Sequence, residues 1–331
     1  MAFIDTVKEK ARANKRKIVL PESMDRRTFE AAAIALSEGI ADIIIIGTPA
    51  EIEAHSKGLD ISKATIINPF ESETTRSYQE DLYELRKHKG MTLEEAYRVL
   101  TTDYMYFACM MIKNGDADGI VSGACHSTAN TISPSLQILR TKPGTKLVSS
   151  FFIMEVPDKT MGANGVFIFA DCGLVQNPNA EELATIAASS AESFKALVGE
   201  EPYVALLSHS TKGSAKHPDV DKVVSAMKML KEEHPEIKAD GEFQLDAAII
   251  PQIGASKAPG SEVAGNANVL IFPDLDAGNI GYKLTERLAK AKAYGPKCQG
   301  ISKPANDLSR GCSAEDIVGV IAITAVQASG L

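Results

Sequence analysis

Two apolar runs separated by an amphipathic segment constrain the fold of this 331-residue chain more than any other feature. KIVL at 17–20 indicates a buried strand, and DRRTFEAAAIALSEG at 25–39 indicates a helix with Phe29 and Leu36 on one face. DIIIIG at 42–47 is then continuously apolar. Strands that are hydrophobic on both faces are typical of parallel sheets that helices cover on both sides. This part of the sequence therefore predicts an α/β fold.

The length of the chain and a change of pattern indicate two domains, because domains average roughly 100–200 residues. The pattern changes near residues 142–144. The last helix, after Cys312, is apolar on all sides and needs a core around it, so we expect it to return to the first domain. The sequence predicts two α/β domains, residues 1–143 completed by 301–331 and residues 144–300.

The second domain begins with a different arrangement of strands. KLVSSFFIMEV at 146–156 and GVFIFAD at 165–171 predict a hairpin-like pair joined by a long loop. Helical periodicity then returns at residues 179–199, at 218–233 and in GNIGYKLTERLAKA at 278–291.

Composition and charge exclude several classes of function. The net charge of −8 argues against general binding to nucleic acid or to anionic membranes, which require basic surfaces. No apolar run approaches the ~20 residues of a membrane span, and the charged N-terminal segment lacks the apolar core of a secretory signal. The five cysteines are an odd number without C-x-x-C spacing, which fits neither a disulfide framework nor a zinc site. We expect a cytoplasmic protein.

Polar segments follow several predicted strands, where open parallel sheets bind their ligands. In VSGACHSTANTISPS at 121–135, Ser127 and Thr128 have hydroxyls suited to cap the helix that begins there. Free N–H groups at such a helix start also attract phosphate, so simple capping and anion binding are the two alternatives.

The segment LSHSTKGSAKHP at 207–218 combines hydroxyl residues, including Ser210 and Thr211, with two lysines and a glycine. That density of small donors and positive charge suits an anionic group. The histidines His126, His209 and His217 have no regular ligand spacing, and we expect them to be structural or exposed to solvent.

A third polar segment covers residues 253–283. It contains the candidate binding residues Lys257, Asn279, Tyr282 and Lys283 among glycines that allow close backbone approach. The alternative is that these residues serve turns and the cap of a helix that begins after Asn279.

The segment NDLSRGCSAEDIVG, residues 306–319, precedes the apolar C-terminal helix. Ser313 and Asp316 have the spacing of a capping box, with Ser313 as the N-cap. Arg310 adds a planar donor fork to backbone N–H groups that already favour anions, and the hydroxyl of Ser309 could donate to an oxyanion. Ser309, Arg310 and Asp316 have the chemistry of a positioning donor, a phosphate clamp and a general base. A well-capped buried helix alone is the alternative.

Along essentially its whole length the sequence resembles the phosphate acetyltransferase (phosphotransacetylase) family. The resemblance rests on five blocks, which are GACHSTANT, LSHSTKGSAKHP, DGEFQLDAAIIP, KAPGSEVAGNANVLIFPDLDAGNIGYK and KPANDLSRGCSAEDIVG. It implies two α/β domains with the site in an interdomain cleft, as in isocitrate and isopropylmalate dehydrogenases, usually in a homodimer. It also implies interconversion of acetyl phosphate plus coenzyme A with acetyl-CoA plus phosphate, without a metal cofactor.

The resemblance assigns roles to particular residues. The family's Ser-Arg pair falls on Ser309 and Arg310, its acid falls on Asp316, and an arginine implicated in coenzyme A binding falls on Arg86. This chain departs from many relatives at Ser133, where they have a coenzyme A-binding arginine. Arg140 or Lys142 is the candidate substitute.

The mechanism we expect is direct attack of the coenzyme A thiol on the acetyl carbonyl in a ternary complex. Asp316 takes the thiol proton, Ser309 donates to the carbonyl oxygen and Arg310 holds the phosphoryl group. Burial is expected to raise the pKa of Asp316, which the helix N-terminus opposes.

Three alternatives remain, which differ in the chemistry, in the acyl specificity or in the presence of catalysis. An acyl-enzyme on Ser309 or Cys312 is a rival chemistry, and butyryl transfer is a rival specificity. A non-catalytic coenzyme A-binding homologue is the third. A dehydrogenase is disfavoured because no G-x-G-x-x-G follows a predicted strand.

Overall fold

The computed structural model describes residues 2–145 and 147–330, with only the backbone at Thr128. The described residues form two compact units, one within 1–143 and 301–331 and the other within 144–300. No helix in this described part of the chain is both long and apolar enough to span a membrane. We call the two parts unit 1 and unit 2.

The strands alternate with helices over most of the chain. The strands are β1 (Lys17–Leu20), β2 (Asp42–Ile46), β3 (Thr65–Ile67), β4 (Gly119–Ser122), β5 (Ser149–Glu155), β6 (Val166–Ala170), β7 (Val204–Leu207), β8 (Ala239–Phe243), β9 (Val269–Ile271), β10 (Lys292–Gln299) and β11 (Ala305–Asp307). The helices are α1 (Phe3–Ala13), α2 (Arg26–Ser37), α3 (Pro49–Ser56), α4 (Thr75–Arg86), α5 (Leu93–Thr102), α6 (Tyr104–Asn114), α7 (Thr128–Ile138), α8 (Ala180–Val198), α9 (Pro218–Glu233), α10 (Leu245–Ile249), α11 (Pro251–Lys257), α12 (Leu275–Leu288) and α13 (Ala314–Ser329). The predicted α/β fold class is confirmed.

Unit 1 is built on a parallel sheet with the strand order β11-β4-β1-β2-β3. From β1 the chain passes to β2 and β3 on one side, and it later places β4 and β11 on the other side. The order therefore reverses between β1 and β4, and such a switch point opens a crevice at the carboxyl ends of the strands. Helix α13 is buried on all faces from Ile317 to Val326 and packs against α1, α2, β1 and β4.

Unit 2 is built on a mixed sheet with the order β10-β5-β6-β9-β7-β8. Strands β10, β5 and β6 pair antiparallel, whereas β6, β9, β7 and β8 pair in parallel. The pairing of β5 with β6, in which Phe152 faces Phe169, confirms the predicted hairpin-like pair. The predicted helices at 179–199 and 218–233 are confirmed as α8 and α9.

One predicted helix boundary is wrong. Helix α12 begins at Leu275, where the carboxylate of Asp274 accepts a hydrogen bond from the N–H of Ala277. It therefore starts three residues before Gly278, so Asn279 lies inside the helix rather than at its entrance. The glycines of this segment concealed the first turn, because glycine has a low helix propensity.

Candidate functional site

The loop that follows β4 is wrapped around a buried carboxylate. Glu22, two residues after β1 and only 2% exposed, accepts hydrogen bonds from the N–H groups of Gly123 (2.9 Å), Ala124 (2.8 Å) and Cys125 (3.1 Å). Its Oε1 atom also lies 2.7 Å from Nδ1 of His126. The carboxylate thus fixes the backbone at the switch point between β1 and β4. Glu22 was not predicted as a site residue, and its signal in the sequence is its position two residues after the first strand.

Gly123 brings the loops after β4 and β11 into contact. Its φ of +113° lies in the region that favours glycine. A Cβ atom at this position would lie 2.6 Å from the backbone N of Leu308. The close approach therefore depends on the absence of a side chain, and it places the 123–127 loop beside the start of the segment that contains Ser309.

Arg27 links the same two loops through its guanidinium group. Its Nη2 donates to the carbonyl oxygen of Ala124 at 2.8 Å, and its Nη1 donates to the carbonyl oxygens of Arg310 at 2.9 Å and Cys312 at 2.7 Å. A salt bridge of 2.6 Å to Asp25 orients the guanidinium and lowers the pKa of that carboxyl group. Sequence reasoning missed Arg27, which appeared there only as part of a helix.

Ser309 and Arg310 are both exposed, on the loop that Arg27 anchors. The hydroxyl of Ser309 accepts a hydrogen bond of 3.3 Å from the N–H of Gly311. Within residues 2–145 and 147–330, the guanidinium of Arg310 has neither a hydrogen bond nor an ion pair, although its backbone is held. A fixed backbone with an unengaged cationic side chain is suited to bind an anion.

The entrance to α13 has the predicted capping box. The hydroxyl of Ser313 accepts from the N–H of Asp316 at 3.1 Å, and Oδ2 of Asp316 accepts from the N–H of Ser313 at 2.8 Å and from its hydroxyl at 2.9 Å. The side chain of Asp316 is exposed, so the burial expected from the sequence is not found. Its Oδ1 atom has no hydrogen bond to another described residue, so it can accept a proton or a hydrogen bond from a ligand.

Cys312, between these residues, is buried, with 8% of its surface exposed. Burial raises the pKa of its thiol, although the nearby charge of Arg27 opposes the increase. The environment of Cys312 therefore disfavours the thiolate that a nucleophile requires.

The remaining candidates of unit 1 lie on two helices. Ser127 is the N-cap of α7, as predicted, and accepts from the N–H of Asn130 at 3.3 Å, whereas the side chain of Thr128 lies outside the described residues. Arg86 ends α4, and its buried Nε atom has no hydrogen-bond partner in the described chain. Ser133, in place of the relatives' arginine, accepts from Gln137 at 2.9 Å.

A cavity of about 200 Å³ opens at the switch point of unit 1. Its lining includes Pro21 after β1, Ser122 at the end of β4, His126 and Asp103. Burial raises the pKa of the Asp103 carboxyl group, although the hydrogen bond from the N–H of Met105 and the neighbouring His126 oppose the increase. The cavity therefore contains titratable groups at the place where this type of sheet binds ligands.

In unit 2, the loop after β7 is fixed by acidic residues of β8. Ser210 is fully buried, donates to Glu242 at 2.8 Å and accepts from the N–H of Ala215 at 3.1 Å, so its hydroxyl is engaged in holding the loop. The predicted positive charge of Lys212 is paired with Asp240 at 2.6 Å. Although burial raises the pKa of Asp240, hydrogen bonds from Lys212 and Ser261 bring it below its usual value.

The structure brings Thr211 and Lys257 together through Gln244. The N–H of Gln244 donates to the hydroxyl of Thr211 at 2.9 Å, and Nζ of Lys257 donates to the side-chain oxygen of Gln244 at 3.0 Å. Lys257 also pairs with Asp246 at 2.9 Å. These contacts join candidates that are 46 positions apart in the sequence.

The other candidates of unit 2 lie along α12. The amide of Asn279 donates to the carbonyl oxygen of Cys172 at 3.1 Å. The ring of Tyr282 stacks on Phe152 with centroids 4.0 Å apart, and Nζ of Lys283 lies 5.7 Å from the centroid of the Tyr282 ring. Asn279 therefore anchors the helix to the end of β6, whereas Lys283 stays exposed.

Comparison with known proteins identifies the same enzyme family over almost the whole chain. The sequence model of the family described as phosphate acetyl/butaryl transferase matches residues 2–325. The phosphate acetyltransferase of Thermoanaerobacterium thermosaccharolyticum is 59% identical over 328 residues, which cover 99% of this chain and 100% of that protein. The phosphate acetyltransferase of Acetivibrio thermocellus is 56% identical over 328 residues, which cover 99% and 98% respectively.

Solved structures similar to this chain include a phosphotransacetylase and a more distant protein that shares only the fold. A phosphotransacetylase from Streptococcus pyogenes is similar with a TM-score of 0.93 and 45% identity, covering 100% of both chains. A putative 4-hydroxythreonine-4-phosphate dehydrogenase from Salmonella typhimurium is similar with a TM-score of 0.54 and 12% identity, covering 94% of this chain and 99% of that one. The second similarity concerns the fold alone, and it relates this α/β architecture to that of a dehydrogenase.

Proposed function

The chain belongs to the phosphate acetyl/butaryl transferase family, and we propose that it transfers an acetyl group reversibly between acetyl phosphate and coenzyme A. The observation that carries this proposal is the unengaged guanidinium of Arg310, held beside Ser309 at the entrance to α13. A cation, a hydroxyl and a helix N-terminus together suit an acyl phosphate, which carries negative charge and has a polarised carbonyl.

The reaction we propose is a direct displacement. The thiol sulfur of coenzyme A bonds to the acetyl carbon, the carbon–oxygen bond to phosphate breaks, and the thiol proton passes to Asp316. Ser309 donates to the carbonyl oxygen as it becomes an oxyanion, and Arg310 neutralises the departing phosphate. The exposed Oδ1 of Asp316 supports the base role, because Oδ2 alone serves the capping box.

An acyl-enzyme on Cys312 is the less favoured chemistry. The thiol is buried and its pKa is raised, so little thiolate is available to attack an acetyl group. We therefore propose a ternary complex without a covalent intermediate.

The binding residues remain part of the proposal. We assign Arg86 to coenzyme A, and Ser127 and Thr128 at the start of α7 to substrate binding. The unit 2 candidates that we assign to substrate binding are Ser210, Thr211, Lys257, Asn279, Tyr282 and Lys283. Among them, the exposed Lys283 is best placed to contact a ligand by its side chain, whereas the buried Ser210 supports the loop.

The proposal also covers assembly, cofactor and location. Ile280, Leu284 and Leu288 form an exposed apolar stripe on α12 that a second copy of the chain could bury in a homodimer.

No metal cofactor is included in the proposed reaction, because Arg310 and the N–H groups of α13 can offset the phosphate charge. The five cysteines are free, which supports a cytoplasmic location.

Loss of the coenzyme A thiol on addition of acetyl phosphate tests the function. We expect the thiol to disappear with equal formation of thioester and phosphate. A higher rate with butyryl phosphate at the same concentration would assign butyryl specificity instead. Binding of coenzyme A without any thioester formation would identify a non-catalytic homologue.

A further inference from the structure

Three side chains at the switch point of unit 1 present atoms that commonly bind metals. Oε1 of Glu22 lies 3.3 Å from Sγ of Cys125 and 2.7 Å from Nδ1 of His126, and Sγ and Nδ1 are 3.6 Å apart. These residues come from two loops that are about a hundred positions apart in the sequence. Sequence spacing alone therefore predicted no zinc site.

The three separations are close to those of a tetrahedral zinc site. Bonds of about 2.0 Å to oxygen and nitrogen and about 2.3 Å to sulfur place the ligand atoms roughly 3.3–3.6 Å apart. Both distances that involve Sγ of Cys125 fall in this range. The atoms of Glu22 and His126 are closer because they share a hydrogen bond, and a metal ion would separate them by only about 0.6 Å.

The surroundings of the three ligands are also those of a metal site. Oε2 of Glu22 accepts from the N–H groups of Gly123 and Ala124, which orients the carboxylate as outer-shell groups orient a metal ligand. His126 also lines the cavity of about 200 Å³, which has room for water beside this ligand. Cys125 is itself exposed.

We propose that Glu22, Cys125 and His126 bind Zn²⁺, with water as the fourth ligand. The Cys125 thiol gives its proton to solvent and binds as thiolate. His126 binds through the lone pair of Nδ1 in its neutral form, and no electron is transferred. A thiolate with an imidazole selects zinc over magnesium and calcium, which prefer oxygen ligands.

A bound zinc ion also affects the neighbouring loops. Cys125 follows Ala124, whose carbonyl oxygen accepts from Arg27, and Arg27 holds the backbone of Arg310. Separation of Glu22 from His126 by the metal ion shifts the backbone of Ala124, which Glu22 holds, and so reaches the loop of Ser309 and Arg310. Zinc therefore inhibits the acetyl transfer. This inhibitory effect rests on the proposed function, whereas the binding of zinc does not.

Cobalt(II) titration of the purified full-length chain, without coenzyme A, tests the site, because Co²⁺ reports thiolate ligation by its near-ultraviolet charge-transfer band. We expect one cobalt ion per chain with this band, displaced by zinc. Cys125→Ser should abolish the band, and both Cys125→Ser and His126→Gln should weaken zinc binding by at least about tenfold. Cys298→Ser and His88→Gln, which alter a cysteine and a histidine elsewhere, should bind as the wild type does.

Far-ultraviolet circular dichroism establishes that each variant is folded. No charge-transfer band in the wild type, or an unchanged band in folded Cys125→Ser, would overturn the proposal. Inhibition is measured separately, as the loss of acetyl transfer activity when zinc is added to the wild type. The same addition should inhibit Cys125→Ser less. If the metal-free wild type has no acetyl transfer activity, the proposed function fails, and the cobalt spectrum still decides whether the metal site exists.

Discussion

Nη1 of Arg27 donates a hydrogen bond of 2.7 Å to the carbonyl oxygen of Cys312, a residue 285 positions later in the chain. The same nitrogen bonds the carbonyl oxygen of Arg310, and Asp25 fixes the guanidinium from the other side. The loop that contains Ser309 and Arg310 thus takes its backbone position from a side chain of α2. A planar guanidinium can serve these acceptors at once because its donors are arranged in a rigid fork.

Replacement of Arg27 by lysine should therefore lower kcat while the chain remains folded. An ammonium group keeps the charge but cannot bond Ala124, Arg310 and Cys312 together, and misplacement of a reacting group by about 1 Å can cost up to about 10²-fold in rate. Because the carbonyl oxygens of Ala124 and Cys312 are partly buried, the loss of their hydrogen-bond donor should also reduce the free energy of unfolding by about 1–3 kcal/mol. Steady-state kinetics and urea denaturation measure the two effects.

Arg26→Lys is the matched control. Arg26 is adjacent in sequence, and its exposed side chain pairs with Glu30 on the same helix and donates to the carbonyl oxygens of His55 and Lys57, not to the loop of Arg310. This variant should have wild-type kcat. Equal effects of the two substitutions would show that Arg27 has no special role in positioning the loop.

Three substitutions separate the proposed roles at the entrance to α13. Ser309→Ala should lower kcat by about 10²–10³-fold, as expected for the loss of an oxyanion donor. Arg310→Gln should lower kcat and also raise KM for acetyl phosphate, because it removes the cation that holds the phosphate. Near-normal kcat in both Ser309→Ala and Asp316→Asn would exclude the mechanism.

The two functions of Asp316 can be tested independently. In Asp316→Asn the amide oxygen can still accept from Ser313, so kcat should fall with little change in stability. In Ser313→Ala the N-cap is lost, which should cost about 0.5–2 kcal/mol of stability, while the carboxylate remains to act as a base. We therefore expect Asp316→Asn to lower kcat without lowering the unfolding temperature, and Ser313→Ala to lower the unfolding temperature without a comparable loss of kcat.

The sequence predicted the parts of the fold whose signals are local. The apolar strands β1 and β2 and the capping box of Ser313 and Asp316 follow from periodicity and spacing. Strand β8 was missed because Asp240 and Glu242 interrupt its apolar pattern, and each carboxylate has a hydrogen-bond partner in the loop after β7, which is distant in the sequence. Strand β11 was missed because it has three residues, of which Asn306 is polar and bonds the side chain of Thr324 on α13.

The candidate site shows the same division between local and distant signals. Arg310 and Ser309 could be predicted because a cation and a hydroxyl stand together before a capped helix. Glu22 and Arg27 could not, because each acts on backbone groups about a hundred or more positions away. Neither carries a sequence motif, and their partners are N–H and carbonyl groups that every residue has.

The pairing of Asp25 with Arg27 should make stability depend on pH in acid. Hydrogen bonds from Arg27 lower the pKa of Asp25 in the folded chain, so the unfolded chain binds the proton more readily. The contribution of this carboxylate to the free energy of unfolding is present above its unfolded pKa of about 3.9 and is lost as pH falls through the folded pKa. The stability difference between the wild type and Asp25→Asn should therefore be largest near neutral pH and shrink in acid.

Urea denaturation at a series of pH values measures this difference. Asp42→Asn is a control, since Asp42 is an exposed residue at the start of β2 and makes no side-chain hydrogen bond within the described chain. Its difference from the wild type should stay constant over the same range. A constant difference for Asp25→Asn would mean that the ion pair does not lower the pKa of Asp25.

The apolar stripe of α12 predicts the position of the dimer contact. Ile280, Leu284 and Leu288 are 57%, 52% and 76% exposed, and their spacing of four residues puts them on one face of the helix. If a second copy covers this face, Leu284→Glu should place an unpaired charge in an apolar interface and convert the dimer to monomer. Val224→Glu, at a 45% exposed position on α9, should leave the assembly unchanged. Sedimentation velocity distinguishes the two species, and a wild type that sediments as a monomer, or a Leu284→Glu variant that remains dimeric, would show that this face does not form the contact.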